Sequence, residues 1–297
     1  MINFLLYAST VLIWGSTWLV ITFQLQGCAI TTAVAWRFLL ASALLLLWCA
    51  LRRISLRFSL SQYGWILLQG LGNFSLNYWM VYLAEARLPS GLVAVIFTLL
   101  MVFNMIGARL IFGQHISRRA GVGAAAGVIG IILVFWPEVT RFDVRGEAWH
   151  GLLFAVAGTL FSCCGNLLSV QTQKRGIAVI PTITIGMGAG GLVMLAVSWL
   201  RSDSLWVPLE FSFLAPLLYL SLAGSVIAFA AYLTLIGRIG AGRASYNGVL
   251  IPIMALLLST LFEGYRWQTA SVAGVLVSLA GNILVMQGSG KPRDAPS

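Results

Sequence analysis

Residues 176–200 read GIAVIPTITIGMGAGGLVMLAVSWL, 25 positions without a charged side chain. A helix rises about 1.5 Å per residue. About 20 apolar residues therefore cross the hydrocarbon core of a bilayer. Such runs recur on both sides of this one. No Asp, Glu, Lys or Arg precedes Arg37, and further uncharged runs cover 38–51, 58–84, 88–108, 120–137, 148–173, 211–237, 244–262 and 267–290. The first run is too long for one span and breaks at Gln24, Gln26, Gly27 and Thr31–Thr32. The pattern predicts ten helices, about 3–22, 31–51, 62–84, 90–110, 119–137, 149–172, 180–200, 212–237, 245–263 and 268–287.

Composition agrees. The 297 residues are 60% hydrophobic and 9% charged, whereas a soluble domain carries about 25% charged residues. A charged, mixed surface cannot be built from so few charges, which excludes a soluble globular protein. The hydrophobic content excludes disorder. The expected fold class is an all-α polytopic membrane protein, a single transmembrane domain over 1–297. Ten spans leave no room for a soluble catalytic or nucleotide-binding domain. The opening segment has neither a basic n-region nor a small-residue cleavage pattern, so it reads as a span and not as a signal peptide.

The net charge of +10 is explained by position. One side of the predicted spans carries Arg52, Arg53, Arg57, Arg109, Arg118, Arg119, Lys174, Arg175, Arg238, Arg243, Lys291 and Arg293; the other carries Arg87, Arg141, Arg145, Arg201 and Arg266. Basic residues accumulate on the cytoplasmic side, so both termini are expected there. Nucleic acid is not an expected partner. Membrane lipid and a small-molecule substrate are, and the oligomeric state is left open. The cysteines, Cys28, Cys49, Cys163 and Cys164, have no metal-like spacing, and the vicinal pair reads as small packing residues. No cofactor or metal is expected.

The two halves resemble each other at an offset of about 150 residues. Gly123-x3-Gly127-x2-Gly130-x-Ile132-Leu133-Val134 matches Gly274-x3-Ser278-x2-Gly281-x-Ile283-Leu284-Val285. Small residues four apart let helix backbones approach closely in lipid. Repeat one is expected over about 1–147 and repeat two over about 148–290, followed by a short cytoplasmic tail, 291–297. Five spans per half is an odd number, so the halves run in opposite senses through the membrane. Inverted repeats of this kind recur in secondary transporters, whose substrate sites lie between the halves.

Several motifs resemble the drug/metabolite transporter superfamily, in its EamA-type ten-helix branch. They are Trp14-Gly15-Ser16-Thr17, Arg37-Phe38-Leu39-Leu40-Ala41, Pro89-Ser90-Gly91, Pro252, Glu263 and the closing glycine pattern of each half. The chain departs from the pattern in repeat one, where Val102 stands opposite Pro252 and Gly113 opposite Glu263. Within the superfamily the chain is most similar to the aromatic and neutral amino-acid exporters of the YddG type. The resemblance implies alternating access by rocking of the two halves and a place in the bacterial inner membrane.

Polar groups in lipid need a partner, a cavity or a function. Arg37 is the one charge well inside a predicted span; it either snorkels to the outer headgroups or meets a substrate carboxylate. Asn73 and Asn77 share a helix face, with Tyr78 and Tyr82 on a neighbouring stripe. Trp14 and Trp18 share a face around Ser16, and an indole can stack on aromatics or attract an ammonium. Ser162 and Asn166, Asn104, Tyr246 and Asn247 complete the expected substrate cavity. Against each stands a plain packing role. Pro252 removes a helical hydrogen bond and is expected to kink its helix.

No acidic side chain falls in the interior of a predicted span: Glu85 and Glu263 are placed on the outer side at the ends of 62–84 and 245–263, and His115 and His150 also sit at span ends. A carrier without an intramembrane proton site is the expectation. There is no P-loop, dinucleotide fingerprint, HExxH or CxxC motif, so ATP coupling is not expected. An intramembrane enzyme, the rival class, would need a nucleophile with a base or paired carboxylates at depth, and no histidine lies mid-span beside Ser16 or the cysteines. Amino acids fit one arginine better than nucleotide sugars or sugar phosphates, which want several. Drugs or other metabolites remain the alternative, because aromatic-lined cavities are permissive.

Overall fold

The computed structural model describes residues 2–136, 146–239 and 247–288. All regular elements among them are helical: α1 (Ile2–Gln24), α2 (Ile30–Leu51), α3 (Leu60–Leu71), α4 (Asn77–Glu85), α5 (Ser90–Phe97), α6 (Leu99–Phe112), α7 (Arg118–Val134), α8 (Glu147–Lys174), α9 (Val179–Leu200), α10 (Phe211–Leu218), α11 (Ala228–Ile239), α12 (Asn247–Phe262) and α13 (Thr269–Gly288). A π-helical turn, Gly72–Leu76, joins α3 to α4, and a second, Tyr219–Ile227, joins α10 to α11. Only Thr98 separates α5 from α6. Seven helical stretches are long and apolar enough to cross a membrane, and α12 is a shorter apolar helix. Leu47, Leu110, Leu192 and Leu261 lie exposed on these helices, which suits a lipid solvent.

Local chemistry sets the ends. Ser59 and Gln62 form a capping box that starts α3: Ser59 Oγ accepts from Gln62 N–H at 3.3 Å, and Gln62 Oε1 accepts from Ser59 N–H at 2.9 Å. Ser117 caps α7 by accepting from Ala120 N–H at 3.1 Å. Gly113 ends α6 at φ +67°, and Gly264 follows α12 at φ +68°. Beyond each glycine the next N–H reaches back to a carbonyl in the last turn, Gln114 to Ala108 and Tyr265 to Ser259, both at 3.3 Å. This left-handed closure favours glycine and gives Gly113 its physical reason. Arg53 and Ser202 close α2 and α9 in the same region, at φ 53° and 59°.

Close backbone approaches hold the helices together. Along the α7–α13 seam, a Cβ on Gly123 would lie 2.5 Å from the Gly281 carbonyl oxygen, and one on Gly281 equally close to that of Gly123. Gly130 and Gly274 meet in the same reciprocal way at 2.6 Å. The two glycine motifs read from the sequence are therefore each other's packing partners. Gly70 faces the Gly186 backbone of α9, and Gly72 faces the Gly165 backbone of α8, so the first π turn is pressed between those helices. Polar pins add direction at the start of α2: Thr32 Oγ1 donates to Ser204 O at 2.7 Å, and Trp36 Nε1 donates to Leu205 O at 2.9 Å.

Candidate substrate path

Several of the predicted polar residues lie in or beside the two π turns or pack between α2 and α4. A π turn widens the helix and leaves backbone groups for other partners. Trp14 uses one of them, its Nε1 donating to Gly224 O at 3.0 Å. The same indole meets Phe229 and Tyr232 edge-on, with centroids 5.2 and 5.1 Å away. Ser16 Oγ lies 2.7 Å from Tyr219 Oη. Trp18 turns to another neighbour, Phe97 of α5, at 5.3 Å. The shared face of Trp14 and Trp18 is thus divided between two partner helices. Ser221 Oγ of the second π turn donates to Arg37 O at 2.9 Å, tying that turn to α2.

Arg37 does not snorkel. It is only 2% exposed. One of its terminal nitrogens donates to Tyr82 Oη at 3.3 Å, and Tyr82 Oη donates to Gln24 Oε1 at 2.6 Å. The guanidinium carbon lies 4.6 Å from the Tyr78 ring centroid and 5.4 Å from that of Phe38. Both predicted tyrosines therefore serve Arg37, one through its hydroxyl and one through its face. Gln24 was read from the sequence only as a break between spans; its burial and its bond to Tyr82 are tertiary.

The asparagines lie deeper on α4, the first π turn and α6. Asn77 Nδ2 donates to Asn73 O at 3.3 Å, and the Asn73 side chain packs on Gly165 of α8. Asn104, half-buried on α6, and Asn77 each have a buried Oδ1 without a hydrogen-bond partner among the described residues. Ser162 is buried and Asn166 half-buried on α8. Asn247 opens α12 and donates from Nδ2 to Thr10 Oγ1 at 2.8 Å. Tyr246 lies outside the described residues, as do Arg141, Arg145, Arg243, Lys291 and Arg293 of the charge pattern. Pro252 is buried within α12 (Asn247–Phe262); among the described residues, departures from α-helical assignment within the apolar runs include the two π turns and Thr98. Two surface grooves, one on α10 and one around Arg87 and Tyr265, are lined by none of the predicted site residues.

Two acidic residues need a new placement. Glu85 is the last residue of α4 and only 6% exposed, not a solvated loop charge. The expectation of spans free of acid fails there, and with it the support for a carrier without an intramembrane proton site. The reason is that an uncharged run ends at the first charge, while the helix and its burial extend through it. Glu263, beyond α12, receives both the N–H and the Oγ–H of Ser90, at 3.1 and 2.5 Å to Oε2. A carboxylate at the start of α5 satisfies an orphan N–H and complements the helix dipole. Gly91 alongside packs against the Cα of Leu256 and the Cβ of Ser259. This joint links α5 to α12. Hydrogen bonds to charged groups contribute about 1.5–3 kcal/mol, so Glu263→Gln is expected to lower the melting temperature of the solubilised protein. An unchanged melting temperature would remove the joint from the account.

Apolar helices of membrane-crossing length, with Arg37, Asn77 and Tyr82 buried and Trp14 and Trp18 half-buried among them, describe a polytopic membrane protein. The profile of the EamA-like transporter family matches residues 1–136 and again 149–287. The chain belongs to the EamA-like transporter family. It is 29% identical to the uncharacterized inner membrane transporter YedA of Escherichia coli strain K12, over 90% of this chain and 88% of that one. It is 27% identical to Protein PecM of Dickeya dadantii, covering 95% and 91%. A probable amino-acid metabolite efflux pump of E. coli K12 is 20% identical, covering 91% and 90%. One solved crystal structure shares the fold, with a TM-score of 0.67 at 17% identity over 95% of both chains. The protein is a multi-pass transporter of the bacterial inner membrane, in a family that handles small metabolites.

Proposed function

We propose that the protein is a secondary transporter that exports amino acids, aromatic and other neutral ones among them, by alternating access and without ATP. The observation that carries this reading is Arg37, a single cation buried between Tyr78 and Tyr82 in a helix of the membrane domain. One guanidinium suits one carboxylate; a phosphate ester would call for more cations. Trp14, Ser16, Trp18, Asn73, Asn77, Asn104, Ser162, Asn166, Tyr246 and Asn247 are assigned to the path, where amide and hydroxyl groups alternate with aromatic faces. The name of the E. coli efflux pump points the same way. The protein acts as a carrier and not as an enzyme, and its partners are a small-molecule solute and lipid.

We further propose ten membrane crossings, in two inverted repeats of five, with both termini cytoplasmic. Several observations support this. π turns recur at Gly72–Leu76 and Tyr219–Ile227. Left-handed closures recur at Arg53 and Ser202, and at Gly113 and Gly264. The two glycine motifs pack reciprocally, and the family profile matches once in each half. Each of these features returns after about 150 residues.

The substrate test is flux in proteoliposomes, with labelled amino acids, a nucleotide sugar and a cationic dye offered separately. Saturable amino-acid flux with none of the others is expected. Dye or nucleotide-sugar flux in place of amino-acid flux would overturn the reading in favour of a drug permease or a nucleotide-sugar carrier.

A further inference from the structure

Within α2 and at the end of α4, two groups of opposite charge type, Arg37 and Glu85, are buried without their full complement of partners. Neither carboxylate oxygen of Glu85 has a hydrogen-bond partner among the described residues. Arg37 donates to Tyr82 from one terminal nitrogen, while its buried Nε has no hydrogen-bond partner among them. Gln24 accepts from Tyr82 at Oε1, and its buried Nε2 is likewise without one. Glu85 lies close enough to Arg37 and to Glu263 for their charges to interact, but Glu263 is engaged by Ser90. The nearby Arg87 is engaged as well, paired with Glu147 of α8 at 3.0 Å. Among the described residues, no neighbouring side chain therefore completes Glu85.

Buried polar groups are ordinarily hydrogen-bonded, and an orphaned one signals a role in another state or with a ligand. Here the orphaned groups are complementary in sense. Arg37 Nε and Gln24 Nε2 are donors from α2 and α1; the Glu85 oxygens are acceptors on α4. Tyr82, bonded to both Arg37 and Gln24, fixes the spacing of the donors. A zwitterion satisfies both sets at once, its carboxylate accepting from Arg37 and Gln24 and its ammonium donating to Glu85. Neither pole alone would do so, since the other buried charge would stay unpaired.

We propose that Glu85 binds the α-ammonium group of a zwitterionic amino acid whose carboxylate is held by Arg37 and Gln24. The site rests on the amino-acid reading above and deepens it, assigning the second pole of the solute to a residue outside the expected cavity.

The test uses the full-length protein in proteoliposomes, with labelled phenylalanine as solute and 3-phenylpropionate and phenethylamine as competitors. The first competitor lacks the ammonium and the second lacks the carboxylate. Neither is expected to compete well with the unaltered protein. Glu85→Gln keeps the shape and removes the charge, so 3-phenylpropionate no longer leaves a buried carboxylate unpaired. Its competition relative to phenylalanine is expected to rise about tenfold or more, while phenethylamine stays excluded. Glu85→Asp keeps the charge, and is expected to raise KM while preserving discrimination against 3-phenylpropionate. Discrimination unchanged in Glu85→Gln, or lost in Glu85→Asp, overturns the assignment and leaves the amino-acid reading standing. Absence of phenylalanine and all other amino-acid flux in the unaltered protein overturns both.

Discussion

Arg37→Gln is expected to abolish amino-acid flux while the protein still reaches the membrane and remains monodisperse in detergent. Arginine at a helix centre costs roughly 2.5–3.5 kcal/mol on insertion scales, so a neutral side chain relieves insertion. Folding also keeps the Tyr82–Gln24 bond, which does not include Arg37. What is lost is the charge-assisted bond to a carboxylate, about 1.5–3 kcal/mol. At 1.4 kcal/mol per tenfold, that alone weakens solute binding by roughly 10- to 150-fold. Transport assays normalised to membrane abundance decide the matter. Tyr82→Phe supplies the graded control, because it removes the hydroxyl that joins Arg37 to Gln24 but keeps the charge. Wild-type flux in Arg37→Gln would make Arg37 a packing residue.

Gly123→Leu is expected to have the largest effect on stability. The seam between α7 and α13 brings backbone against backbone, with the Gly281 carbonyl oxygen 2.5 Å from where a Cβ would stand. Overpacking a core typically costs about 1–3 kcal/mol when side chains can shift. A carbonyl in a paired helix cannot shift alone, so the two helices must part. Loss of the monodisperse species in size-exclusion chromatography is the expected readout. Gly281→Leu should reproduce it from the other half, since the contact is reciprocal. Gly121 is on the same helix with no atom within 4 Å of its Cβ position, so Gly121→Leu is the neutral comparison. Equal behaviour of Gly121→Leu and Gly123→Leu would contradict the seam.

The glycine seam was legible because its signal is local: small residues at fixed spacing say that a backbone comes close, and only the partner had to be found. Helix positions were legible for a similar reason, since uncharged length is read directly against bilayer thickness. The π turns were not, because Gly72–Leu76 and Tyr219–Ile227 lie inside uncharged runs and carry no proline to mark the change of helix type. Glu85 was misplaced because charge marks the end of an apolar run, whereas burial depends on what packs around that end. For Trp14 and Trp18 the helical spacing gave a common direction; the choice of Phe229 and Tyr232 for one and Phe97 for the other belongs to the packing. Arg37 was found by its charge alone; its burial speaks against snorkelling, and a meeting with a substrate carboxylate is left to the transport assay.

A carrier that exposes one amino-acid site alternately to either side is expected to show counterflow. Proteoliposomes are loaded with unlabelled phenylalanine and diluted into a trace of labelled phenylalanine, with no ion gradient present. Label is expected to accumulate transiently above its equilibrium level, and Arg37→Gln is expected to abolish that accumulation. Label that only equilibrates, at a rate independent of the internal amino acid, would contradict it.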